Sequence, residues 1–310
     1  MSGVWHALAD PWTQSIMRHA FAEVVLLGVT GGALGCWIVF YNLSYSAESL
    51  AHSLLPGLVV AALLGLPLLI GGAAGVLLAA IAVAVAGRAP EIGRDTAVAV
   101  VVTALFGLGV LLALSPTAPP GLQGLLFGDV LGASDTDLVL AAALAVVVLI
   151  MLRLLHARLL VVGFDRLNAR ALGVSALGVD VGLLTLLAVA LLVAVQGLGN
   201  LLVVAVLIAP AAAARVVARR MGSLMALSST IAIAAGVGGL YLSYYAKTAA
   251  GASIAGILVA TYVVLVGLHA ATTGARSAPD GRAYSRPSSA SRRSSKRRSA
   301  SSWTRVSARR

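Results

Sequence analysis

The sequence predicts an all-α fold, a polytopic membrane helix bundle with about 8–9 transmembrane helices. Three observations predict it. First, 60% of the 310 residues are hydrophobic and 11% are charged, with a mean hydropathy of +0.99. A soluble chain is nearer half apolar and a quarter charged. Second, the apolar residues come in long runs, each able at ~1.5 Å per residue to cross or nearly cross a hydrocarbon core of ~30 Å. Third, arginines gather in a few short connections while the others hold almost none. In lipid the backbone must satisfy its own hydrogen bonds, so the runs are helices rather than open strands.

Residues 1–20 carry Trp5, His6, Trp12 and His19 without the charged start and cleavage site of a signal peptide. They read as an interfacial N-terminal lead-in. The transmembrane domain occupies 21–270, with apolar segments at 21–40, 48–65, 67–87, 96–114, 137–156, 179–196, 198–215, 225–245 and 252–270. The second and third meet at Gly65 and Pro67 with almost no loop, which predicts a tight hairpin. The sixth and seventh are separated only by Gln196-Gly197-Leu198-Gly199-Asn200, a polar island that reads as a tight turn at the outer face. Asn200 in it can also point inward and line a path.

Arg88 and Arg94 flank one connection, Arg153, Arg158, Arg166 and Arg170 occupy another, and Arg215, Arg219 and Arg220 mark a third. The positive-inside rule places these loops in the cytoplasm, and nine spans then put the N-terminus outside. Residues 271–310 are rich in Ser, Arg, Ala and Pro with no apolar period, a composition that predicts a disordered basic cytoplasmic tail. From Arg276 to Arg310 there are 11 basic residues and one acid, so this stretch holds +10 of the net +11. The basic balance therefore belongs to the tail, and the transmembrane domain has no basic surface for nucleic acid.

Other classes are excluded by what is missing. The single cysteine, Cys36, rules out a disulfide framework and any paired-cysteine metal or redox site. Neither lysine, Lys247 nor Lys296, stands in a P-loop, so the chain is not its own P-loop ATPase.

Ionisable groups inside membrane segments are costly and mark function by default. Glu23, at the start of the first span, is expected to reach the interface. Glu48 and His52 differ, because their i, i+4 spacing puts a carboxylate and an imidazole on one helix face. That is a two-ligand half-site for a divalent cation with mixed nitrogen and oxygen preference, such as zinc or manganese. It is equally an ion pair that holds two helices together. Ser46, Ser49 and Ser53 add polar groups, and Pro56-Gly57 should loosen the helix just beyond. In the cytoplasmic loop, Asp165 to Gly173 reads as a short helix, opened by Asp165 and ended by Gly173. Such a helix suits docking of a soluble partner.

Together these pieces resemble the membrane permease subunit of bacterial zinc/manganese/iron-type ABC importers, from about Phe21 to Leu268. Ser44 to Gly57 is similar to the family's S-x-x-G-D-x-L-x-H-x-x-x-x-G motif. Leu126-Phe127-Gly128-Asp129-Val130-Leu131 resembles its outer L-F-G-x-x-L segment. Leu207 to Arg215 resembles L-x-x-P-A-A-x-A-R, and Gly239 to Tyr245 with Gly251-Ala252-Ser253 resembles its closing hairpin. Glu48 stands where the family has aspartate, Ala47 where it has glycine, and Tyr41-Asn42 where basic residues are usual. Thr103 stands where some zinc-type members have a further histidine.

The resemblance implies a transport subunit of the bacterial cell membrane rather than an enzyme. ATP would be hydrolysed by a separate ATPase subunit, and an extracytoplasmic metal-binding protein would deliver the ion to a permease homodimer. Glu48 and His52 would be the metal ligands, with Ser49, Thr103 and Asn200 as pathway candidates. The segment containing Asp165, Asn168, Ala169 and Gly173 would couple to the ATPase. No cofactor is expected to be bound permanently, the divalent metal being the transported substrate: zinc or manganese, with iron as a further candidate. Two alternatives are a permease for a metal chelate of haem, cobalamin or siderophore type, which needs a wide path without ionisable ligands, and an ion-coupled secondary transporter. The latter normally shows an inverted repeat, and none is clear here.

Overall fold

The computed structural model describes residues 10–86, 94–116, 122, 126 and 128–274. Trp5, His6, Arg88, Phe127 and the basic tail from residue 275 onward lie outside the described residues. The described elements are all helical: α1 (Ser15–Phe40), α2 (Ser44–Leu63), α3 (Leu68–Ala86), α4 (Arg94–Ala113), α5 (Asp135–Phe164), α6 (Ala176–Val217), α7 (Met221–Ala246) and α8 (Ala250–Gly274). Two short 3-10 helices, Val130–Gly132 and Ala169–Leu172, stand in the loops. All but α3 are long and apolar enough to cross a membrane, and α3 has a shorter apolar stretch, Leu68–Val83. The described residues through His269 belong to one packed unit.

Helix α1 is the centre of this unit. Phe21, Leu34, Trp37 and Ile38 are fully buried, and α5, α6 and α7 all pack against it. It begins at Ser15 rather than Phe21, because Met17 and Ala20 are already buried. The expected lead-in is therefore shorter: Trp12 stacks on Phe21 at 4.4 Å and donates to the Tyr241 hydroxyl at 2.7 Å, tying the chain to α7 before α1 starts. Glu23 does not reach solvent. It is 3% exposed and lies against Gly197, where a β-carbon would strike its carboxylate.

Helix α5 opens with a capping box: the Ser134 hydroxyl accepts from the Asp137 backbone and the Asp137 carboxylate accepts from the Ser134 N–H at 2.9 Å. It runs past the expected end at 156 to Phe164. Leu159 and Val162 remain buried, and Tyr41 donates to the Leu159 carbonyl at 2.7 Å. The helix thus continues past 156 on these packing contacts.

The continuous helical trace of α6 conceals a reversal. Gly199 has φ 72° and ψ 161°, a conformation essentially confined to glycine. Leu191 and Ala194 before it, and Val203, Val206 and Leu207 after it, line one small cavity with Leu27. In a straight helix Leu191 and Leu207 would lie ~24 Å apart. The chain therefore turns back at Gly199, and the expected segments 179–196 and 198–215 are the two arms of a hairpin. Arg215 returns to the α1 end, donating to the Val39 carbonyl at 3.1 Å.

Helices α2 and α3 touch backbone to backbone. The α2 glycine, Gly57, faces Gly71 and Gly75 of α3, with no room for even one β-carbon between them. Small residues at i and i+4 permit this approach, which matters in lipid, where the surrounding tails are as apolar as the side chains.

Candidate metal path and coupling loop

Helix α2 carries the ionisable pair. Glu48 Oε1 lies 3.8 Å from His52 Nε2, as the i, i+4 spacing predicts. The carboxylate is more than half exposed and the imidazole about one-fifth. Helix α4 supports the ring from behind, with Phe106 at 4.4 Å between centroids. Helix α2 continues through Pro56 to Leu63. Proline has no N–H, so the helical bond from position 56 to the His52 carbonyl cannot form. An acceptor is thereby left at the residue that also supplies the imidazole.

The hairpin arm after Gly199 completes the site. Glu48, His52 and Asn200 line one open cavity of about 530 Å³, lined elsewhere by apolar side chains of this arm and by Val259 and Tyr262 of α8. Asn200 is fully buried, and its Nδ2 lies 3.1 Å from His52 Nδ1. The pair thus faces a space large enough for an ion and its water shell.

The other pathway candidates fall elsewhere. Ser49 lines a separate groove with Ser46, Ser53 and Thr185, on another face of α2. Thr103 is exposed on α4 and is not among the residues lining the Glu48–His52 cavity. What α4 brings to His52 is Phe106, one turn further on, which sequence reasoning did not single out. Tyr262 was missed as well; an aromatic in an apolar span carries no signal of its own. Among the described residues no group of three or more His, Cys, Asp or Glu could hold a metal ion. At this cavity the chain brings together two ionisable groups, Glu48 and His52.

The loop after α5 is built differently from the helix expected over 165–173. Asp165 accepts from the Asn168 backbone at 3.1 Å and from its side chain at 2.7 Å, and these bonds hold its carboxyl below the usual carboxylate range. A single 3-10 turn follows, Ala169–Leu172, closed by Gly173 at φ 73°. Arg166 pairs with Asp180 and clamps the loop to the start of α6. Ala169 faces inward and is fully buried, whereas Leu167 is 92% exposed and Phe164 and Leu172 are also exposed. The outward face thus sets the exposed Leu167 and Leu172 among polar and basic residues such as Asn168 and Arg170, and Ala169 takes no part in it.

Known proteins are similar to this chain in sequence and in fold. The manganese transport system membrane protein MntC of Listeria monocytogenes is 30% identical over 252 residues, covering 81% of this chain and 89% of that protein. The manganese import system permease protein ScaB of Streptococcus gordonii is 31% identical, covering 81% and 89%. Among solved structures, PsaBC from Streptococcus pneumoniae in complex with Fab superposes with a TM-score of 0.79 at 29% identity, covering 84% of this chain and 95% of that one. The family model described as the ABC 3 transport family matches residues 13–270, nearly the whole of the described helical domain, and the chain belongs to that family.

Proposed function

We propose that this chain is the membrane permease subunit of an ATP-driven importer of divalent transition-metal ions, with manganese or zinc as substrate and iron as a further candidate. One observation carries the reading: Glu48 and His52, a carboxylate and an imidazole one turn apart on α2, face a single cavity with Asn200. An ion stripped of water needs oxygen and nitrogen donors, because hydrocarbon offers none. Two ligands from each of two protomers make a four-ligand site, which suits zinc; waters or the His52 carbonyl extend it for manganese. A half-site per subunit also releases its ion more readily than a closed cage. Ionisable ligands on the cavity wall favour a bare ion over a bulky chelate.

In this reading the chain has nine spans, counting both arms of α6, and resides in the bacterial cell membrane. Arg166 and Arg215 mark the cytoplasmic end; Asp129, Asp135 and Asp137 mark the outer end, where a metal-binding protein docks. The exposed Leu167 and Leu172 meet the ATPase subunit. The test is uptake of manganese in cells lacking other uptake systems. His52→Ala and Glu48→Gln should each reduce it strongly at unchanged protein level in the membrane, and Glu48→Asp should be tolerated. Wild-type uptake by His52→Ala would make the pair structural.

A further inference from the structure

The His52 imidazole has one nitrogen toward Glu48 and the other toward Asn200. With the Asn200 amide donating to Nδ1, that nitrogen holds a lone pair, and the proton of a neutral imidazole must sit on Nε2, directed at Glu48. A cation cannot bind a nitrogen that carries a proton. For Nε2 to become a ligand, the proton must be at Nδ1, and Nδ1–H then needs an acceptor. The Asn200 side chain holds that acceptor: its Oδ1 is buried and has no hydrogen-bond partner. The two ends of an amide have the same shape, and its terminal torsion is broad. A half-turn therefore exchanges donor for acceptor at the same place.

We propose that Asn200 is a two-way positioning residue for His52, donating to Nδ1 while the site awaits an ion and accepting from Nδ1–H once Nε2 holds one. The proposal rests on the reading that Glu48 and His52 carry the ion. The imidazole stays neutral throughout: one proton leaves Nε2 and one is gained at Nδ1, with no net change. Asparagine fits this role because it both donates and accepts without charge. Aspartate of the same length accepts only, and leucine does neither. Metal-bound histidines commonly donate their second N–H to such a partner, which orients the ring and raises its basicity. Here the partner stands directly after Gly199, so the hairpin turn that reverses α6 also sets the tautomer of a ligand on α2.

The test uses the full chain in lipid nanodiscs with histidine labelled with nitrogen-15, and Zn(II), which is diamagnetic, as probe. Ring-nitrogen shifts report which nitrogen carries the proton. In the wild type the His52 proton should be on Nε2 without zinc and on Nδ1 with it. Asn200→Leu should weaken zinc binding on the order of 10–100-fold. Asn200→Asp should bind zinc at least as tightly as the wild type and show Nδ1–H even without metal. A purely structural role would weaken binding in both variants and leave the tautomer unmoved, and that result overturns the proposal. So does wild-type zinc affinity in Asn200→Leu. If that variant does not fold, the wild-type spectra and Asn200→Asp decide. His52→Ala separates the two layers: zinc affinity unchanged there defeats the ion-path reading itself, whereas loss there with an unaffected Asn200→Leu defeats only the role of Asn200.

Discussion

Replacing Gly57 by alanine should disable the transporter through a contact that neither ligand makes. An alanine β-carbon at this position would lie 2.0 Å from the Gly71 carbonyl oxygen and 2.7 Å from the Gly75 nitrogen. Real β-carbon contacts essentially never fall below 3.0 Å, and both obstructing atoms are backbone, so no side chain can swing away. Helices α2 and α3 must then separate by about 1 Å, the difference between 3.0 and 2.0 Å. Overpacking of this kind costs about 1–3 kcal/mol, enough to outweigh the gain of up to ~1 kcal/mol from replacing glycine in a helix. His52 lies five residues away on the same helix, about 7.5 Å along its axis, and moves with it. A misplacement near 1 Å can cost on the order of a hundredfold in rate where geometry is critical, so uptake should fall by roughly tenfold or more. The assay pairs thermal denaturation of the purified protein with manganese uptake. Gly107→Ala is the control, because a β-carbon there meets nothing within 4 Å. If Gly57→Ala matches Gly107→Ala in both measurements, the close approach does not position the site and the reasoning fails.

Two further predictions concern the cytoplasmic loop and the tail. Leu167→Asp, at a 92% exposed position, should change the stability of the isolated chain by no more than about 0.5 kcal/mol yet reduce ATP-driven uptake, while Ala169→Arg, at a fully buried one, should lower the amount of folded protein; denaturation of the purified variants beside uptake separates the two. A chain ending at Gly274 should insert and transport at the full-length rate, since the family match stops at residue 270 and the removed stretch holds +10 of the net charge; reduced uptake at normal membrane level would refute this.

Much of the architecture is legible in the order of the residues. Long apolar runs have one stable solution in lipid, a helix, so their number and approximate bounds follow from composition and length. The spacing of Glu48 and His52 dictates that they share a face, because helical geometry is local. Gly199 and its polar neighbours announce a turn for the same reason: only glycine adopts the required backbone conformation readily. The tertiary structure decided what each face meets. Whether Asn200 turns outward or toward His52 depends on how the second arm of α6 packs against α2, residues 148 positions apart. That Ser49 looks away from the cavity, that Phe106 rather than Thr103 meets the imidazole, and that Ala169 is buried while Leu167 is exposed are likewise matters of helix rotation and neighbour choice. In a chain this uniformly apolar, hydrophobicity marks which segments enter the membrane but scarcely distinguishes one face of a helix from another. Close packing between small residues sets those rotations, and that information lies in pairs of distant positions rather than in any local run.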